Sequence, residues 1–255
     1  MDRPGNEGDA VRLEGVRKTY GAGDSEVVAL AGVTVGFAQG TFTAVMGPSG
    51  SGKSTLLHCA AGLDQPDAGS VTIEGVELTG MSENELTKLR RDRIGFVFQA
   101  FNLLPALNAT QNVAVPMRLA GRKPDAARIE SVLGKVGLAN RRDHMPGQMS
   151  GGQQQRVAIA RALATGPAVI FADEPTGALD TSTAREVLGL LRDAVDKDGQ
   201  TIVMVTHDPM AASYADKAIF LADGRLAGEL RSPTPDSVAE RMTRIGAWQE
   251  RVAAR

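Results

Sequence analysis

Eight consecutive residues constrain this chain more than anything else in it: Gly47-Pro48-Ser49-Gly50-Ser51-Gly52-Lys53-Ser54, with the spacing G-x-x-x-x-G-K-[ST]. A short apolar run, Thr41–Met46, leads into them, and a helical stretch from Thr55 to Ala61 follows and ends at Gly62. A strand, a Gly-rich turn and a helix in that order predict an α/β fold. Glycines let backbone N–H groups close around phosphate oxygens, and the helix turns its positive end toward them. Lys53 has the reach for β- and γ-phosphates, and the Ser54 hydroxyl suits Mg²⁺. A flexible Gly/Ser loop would explain the bare pattern, but not the strand before it and the helix after it.

A second element supplies the acid such a site needs. Val169-Ile170-Phe171-Ala172 is a doubly apolar strand that ends in Asp173-Glu174. Alone, two acids at a strand end would read as a solvated turn. Beside the phosphate loop they divide the work: Asp173 serves the metal, and Glu174 orients and deprotonates an attacking water.

Other strands are expected at Val11–Val16, Val27–Phe37, Val71–Ile73, Ile94–Phe98, Thr201–Val205 and Ala218–Leu221. Ser82 with Glu85 forms a capping box, and Asp223-Gly224 reads as a hairpin turn. Between Phe101 and Thr165 the β signal fades into helical patterns near Asn112–Ala120, Asp125–Val136 and Gly151–Ala164. Another helix is expected over Ser182–Val195, and a terminal one over Ser237–Val252, entered through Thr234-Pro235. The 28 Lys and Arg stand against 30 Asp and Glu, so the basic excess of a nucleic-acid binder is missing and no nucleic-acid partner is expected. Cys59 is the single cysteine and reads as core packing. The polar start, Met1–Arg12, lacks an apolar secretory core, and no apolar run is long enough to span a bilayer, so a soluble cytoplasmic protein is expected.

Met149-Ser150-Gly151-Gly152-Gln153-Gln154-Gln155-Arg156 brings these parts into one order. Here the chain resembles the ATP-binding subunits of ABC transporters, from Arg12 to Leu230, with Met149 where that family carries Leu. The shared order is Tyr20, the phosphate loop, Gln99, the Ser-Gly-Gly-Gln signature, Asp173-Glu174, Ala178-Leu179-Asp180 and His207. The resemblance implies a P-loop (RecA-like) nucleotide-binding core with an antiparallel β subdomain and a helical insertion subdomain. It makes 1–255 a single domain with a core lobe over 11–98 and 166–231, a helical subdomain over 99–165 and a C-terminal helix over 235–253.

The resemblance also implies the site. ATP is held by Gly47, Pro48, Ser49, Gly50, Ser51, Gly52, Lys53, Ser54 and Thr55, with adenine stacked on Tyr20. Mg²⁺ falls to Ser54, Gln99 and Asp173, while Lys53, Gln99, Glu174 and His207 serve catalysis. Ser150, Gly151, Gly152 and Gln153 face the nucleotide of an opposite subunit, and Asp180 lies in the loop crossing between subunits. Ser150 can cap its helix, and glycines beside it permit close backbone approach to an anion. The implied assembly is a head-to-tail dimer, homomeric or with another such ATPase, carried on the inner face of the membrane by an integral permease.

Phe98–Pro105 and Glu174–Asp180 look most like the lipoprotein-release, macrolide-export and antimicrobial-peptide export branch, although Gln111 stands where that branch commonly has an acid. A lipid, peptide or drug-like cargo follows. A cell-division ATPase that moves a membrane partner without cargo is the alternative. The apolar residues of Phe101–Met117 are expected to seat a short helix of the permease.

Overall fold

The computed structural model describes residues 8–253; the polar start considered above therefore lies, over 1–7, outside the described residues. In chain order the elements are β1 (Asp9–Tyr20), β2 (Val27–Ala38), β3 (Phe42–Met46), α1 (Lys53–Ala60), β4 (Ala68–Ile73), β5 (Val76–Glu77), α2 (Glu83–Arg93) and β6 (Ile94–Phe98). Then come α3 (Ala109–Leu119), α4 (Ala126–Lys135), α5 (Gly151–Ala164), β7 (Val169–Asp173), α6 (Thr181–Asp198) and β8 (Thr201–Val205). The chain closes with α7 (Pro209–Ala212), β9 (Lys217–Ala222), β10 (Arg225–Arg231) and α8 (Pro235–Ala253).

The strands form two sheets. One has the order β2-β1-β4-β5, all antiparallel; the other runs β10-β9-β3-β8-β7-β6, parallel except for β10. Both faces of the parallel sheet are apolar, which is why its strands read as unbroken hydrophobic runs. Alternation still sorts the side chains. Ala44, Met46, Ile170, Ala172, Ile202, Met204 and Phe220 join the helices α3–α8 in one buried layer. Val45, Val169, Phe171, Val203, Val205, Ile219 and Leu221 join α1 and the antiparallel sheet in the other. The α-helices α3, α4 and α5, between β6 and β7, thus share a continuous core with the sheet. No helix among the described residues is long and apolar enough to cross a membrane.

Local chemistry fixes the element ends. Ser82 and Glu85 form the expected box, with the Ser82 N–H donating to Glu85 Oε2 at 2.8 Å. Asp223 and Gly224 both have positive φ, 48° and 69°, the backbone of a tight hairpin turn between β9 and β10. Helix α3 starts earlier than its apolar periodicity suggests, because Asn108 and Gln111 cap it reciprocally at 2.9 and 3.0 Å. Gln111 thereby fills the N3 place of the capping box, which Glu or Gln can take. Val113 and Met117 face the core of the insertion and not a partner, which removes them from the expected docking stretch.

Candidate nucleotide site

Strand β3 is buried throughout and ends at Met46, so its C-terminal edge presents the next residues as a loop anchored from below. Two glycines of that loop have no substitute. A Cβ on Gly47 (φ 153°) would lie 2.3 Å from the Leu221 carbonyl, and one on Gly52 (φ 99°) 2.3 Å from the Ala29 carbonyl. The hairpin braces the loop further, the Gly224 N–H donating to the Ser51 carbonyl at 3.1 Å. No side chain caps α1, so its first N–H groups stay available to an anion.

Lys53 Nζ donates to the loop's own carbonyls, Gly47 at 2.9 Å and Pro48 at 2.8 Å. Burial pushes its ammonium down from the usual lysine range, opposed by the charges of Glu174 and Asp173. The Ser51 hydroxyl is buried without a hydrogen-bond partner among the described residues. A charged amine resting on carbonyls, an orphan hydroxyl and an uncapped helix make a cradle that fits a polyphosphate.

The registers of the parallel sheet bring the remaining groups alongside. Phe98 pairs with Asp173, Asp173 with Val205, and Val45 with Val205. The residues just beyond these strand ends, Gln99, Glu174, Thr206 and the loop after Met46, therefore share one edge. Burial raises the Asp173 carboxyl above the usual range, and Glu174 adds to the rise while His58 and Lys53 oppose it. Glu174 has φ 47°, and its N–H donates to the Val205 carbonyl at 2.9 Å. His207, exposed beyond β8, places Nδ1 2.8 Å from Glu174 Oε1. The exposed Gln99 lies over Gly177, where a Cβ would sit 2.9 Å from its Nε2.

Three sequence-predicted groups lie apart from this edge or do other work. The Tyr20 hydroxyl donates to Asp64 Oδ2 at 2.6 Å, and Lys18, paired with Asp64 at 2.7 Å, lies 5.4 Å from the ring centroid. Burial and then this bond push the Tyr20 phenol up, and the Thr55 hydroxyl opposes them. Ser150 caps α5 in a box with Gln153, at 3.3 and 3.1 Å, and among the described residues no hydrogen bond joins Ser150–Gln153 to the loop 47–55. Asp180 caps α6, its Oδ1 accepting from the N–H groups of Ser182 and Thr183 at 3.0 Å.

One physical account changes. A Cβ on Gly152 would meet the Thr183 methyl at 2.2 Å, so the helix α6, within the same chain, already demands glycine there. Three contributors escape a reading of the sequence: Asp64, Thr183 and Gln155, a buried amide of α5 whose Nε2 donates to the Phe98 and Pro175 carbonyls. Only Gln155 leaves a local signal, as a polar residue in step with the buried positions Gly152, Ala158 and Ile159.

The fold and this edge define a P-loop nucleotide-binding protein with an acid and a histidine poised beyond the phosphate cradle. A family model described as "ABC transporter" matches residues 30–177. The chain belongs to that family, as one of its ATP-binding domains, whose members are ATPases. It is 44% identical over 228 residues to the lipoprotein-releasing system ATP-binding protein LolD of Bordetella pertussis, covering 89% of this chain and 99% of LolD. It is 45% identical over 249 residues to the macrolide export ATP-binding/permease protein MacB of Marinobacter nauticus, covering 94% of this chain but 38% of MacB. The chain thus spans well under half of the MacB relative. A dimeric post-hydrolysis structure of the ATP-binding cassette MJ0796 bound to ADP and Pi superposes with a TM-score of 0.79 at 43% identity, over 87% of this chain and 98% of that one. The protein of that name from Methanocaldococcus jannaschii is 44% identical over 225 residues, covering 86% of this chain and 96% of its relative.

Proposed function

We propose that the chain hydrolyses ATP as a head-to-tail dimer and passes the resulting movement to a membrane permease, for export of a lipid, peptide or drug-like substrate. The observation that carries the reading is the Glu174–His207 pair, 2.8 Å apart at the strand ends beside Lys53 and the phosphate cradle. The loop 47–55 holds the phosphates through backbone N–H groups, and Lys53 exchanges its loop carbonyls for phosphate oxygens. Tyr20 stacks on adenine. His207 Nδ1–H holds one carboxylate oxygen of Glu174, which leaves the other to take the proton of the attacking water.

Ser54, Gln99 and Asp173 are the residues that would hold Mg²⁺ beside the phosphates. A hydroxyl, an amide oxygen and a carboxylate are the oxygen donors that Mg²⁺ prefers, and its other ligands would come from phosphate and water. When bound, it neutralises charge developing on the phosphates.

In the domain division proposed here, the core lobe covers 11–98 and 166–231, the insertion 99–165 and the terminal helix 235–253. Ser150–Gln153 serve the nucleotide held by a second subunit, with Asp180 in the loop crossing between the two. The dimeric cassette relative supports this arrangement. Ser150→Arg and Lys53→Ala chains, each nearly inactive alone, are therefore expected to recover part of the activity when mixed, because one site of a mixed dimer keeps both groups. Activity strictly first-order in protein, down to concentrations where the chain is monomeric, would overturn the dimer.

A further inference from the structure

Gln155 is 0% exposed, an environment that tolerates an amide only where its hydrogen bonds are made. Its Nε2 donates to the Phe98 carbonyl at 3.2 Å and to the Pro175 carbonyl at 2.5 Å. Two carbonyl acceptors settle which end of the amide is nitrogen, since only the NH₂ donates. Phe98 immediately precedes Gln99, and Pro175 immediately follows Glu174. One side chain, on the helix that Ser150 caps, thus holds the backbone beside both residues.

Two further contacts reinforce the junction. The Gln99 side chain lies over Gly177, so the segments after β6 and β7 meet a second time. Arg161, also on α5, donates to the carbonyls of Phe101 and Asn102, whose φ values of 57° and 50° are unusual for such residues. Helix α5 grips the segment 98–102 at both ends. The Gln155 Oε1, meanwhile, is buried without a partner among the described residues. A Leu or Met would fill the same space without that orphan oxygen, so packing alone does not explain an amide here.

We propose that Gln155 is a positioning residue for hydrolysis: its buried amide ties the signature helix to the backbone beside Gln99 and Glu174, so that a shift of α5 moves both. The inference rests on the roles given to Gln99 and Glu174 above. Gln155→Met in the full chain keeps the volume and removes both donors. Gln200→Met is the control, because Gln200 Nε2 also donates to two carbonyls, Pro167 at 3.1 Å and Thr201 at 3.2 Å, at the opposite end of the sheet. Gln155→Met is expected to lower kcat at least about tenfold while KM for ATP stays within about twofold, and Gln200→Met to change neither. Amide hydrogen exchange in the nucleotide-free chain is expected to rise at 98–102 and 174–177 together, with 47–55 unchanged. A kcat within twofold of the parent, a parallel loss of kcat and KM in both variants, or unaltered exchange at both segments would overturn the role. A parent chain that hydrolyses no ATP would instead strike the functional reading, and the exchange pattern alone would then decide on Gln155.

Discussion

Glu174 is held in a left-handed backbone conformation that costs a non-glycine residue on the order of 1–2 kcal/mol. Three bonds offset it: its N–H to Val205, its carbonyl from Gly177 at 3.0 Å, and its carboxylate to His207. The carboxylate meets His207 just beyond the end of β8, the place the proposed base would have to occupy. Glu174→Gln keeps the shape and removes the base. ATP binding is expected to persist while hydrolysis falls at least about a hundredfold, with an ATP-bound dimer accumulating. Turnover near that of the parent, measured as phosphate release at saturating ATP, would assign the proton transfer elsewhere. That Lys53, Asp173 and Glu174 come together is legible in the sequence because each sits beside a local pattern, a Gly-rich turn or a buried strand. Asp64 is not. It steadies Tyr20 from a loop far along the chain, and nothing in its own neighbourhood marks it.

At the scale of elements, α5 and α6 interlock at their N-termini. Asp180 caps α6 and accepts the Thr183 hydroxyl at 2.6 Å, and the methyl of the same Thr183 occupies the space a Cβ on Gly152 would need. Arg156 of α5 pairs with Glu186 of α6 one step further along. Gly152→Ala is therefore expected to push the two helices apart and to destabilise the chain by roughly 1–3 kcal/mol, as overpacking of a close contact does. Thr183→Ser keeps the hydroxyl for Asp180 and removes the methyl, so the double variant is expected to regain most of the lost stability in thermal unfolding. A double variant no more stable than Gly152→Ala would mean that glycine is needed there for another reason. The parts of the fold that are legible in sequence are those with local chemistry, such as the Ser82–Glu85 box and the Asp223-Gly224 turn. The start of α3 is harder, because its cap at Asn108 lies before the apolar periodicity begins. The Thr183–Gly152 contact cannot be read at all, since it joins two helices whose adjacency no single segment encodes.

For the molecule as a whole, the proposed function requires a surface through which movement could pass to a membrane partner. Between the sheet edge at β6 and helix α3 lies an open groove of about 550 Å³, with Leu63, Phe96, Phe98, Val115 and Leu119 among its lining residues and Arg90, Arg91 and Arg161 at its polar side. Phe96 and Phe98 stack at 5.5 Å, giving the groove a rigid aromatic wall. The groove shares Val115 and its place between core and insertion with the docking stretch read off the sequence, but not the other large apolar residues of that stretch. Val113 and Met117 are buried, Phe101 packs toward Gly151, and Leu104, although exposed, does not line the groove. Leu119 is 75% exposed, an apolar side chain with no core to serve. The groove is also one residue away from the nucleotide site, since Phe98 lines it and Gln99 follows. A short amphipathic helix of a permease seated there would feel any displacement of Gln99 directly. A charge in the middle of such a contact is costly, so Leu119→Glu is expected to weaken binding about 30-fold or more, equal to about 2 kcal/mol. Because Leu119 is largely exposed, the variant is expected to fold and to hydrolyse ATP within about twofold of the parent when purified alone. The measurement is co-purification from detergent-solubilised membranes, with ATP hydrolysis assayed on the same preparations. A Leu119→Glu chain that is fully active and still brings down the same membrane protein in equal yield would place the contact on another face.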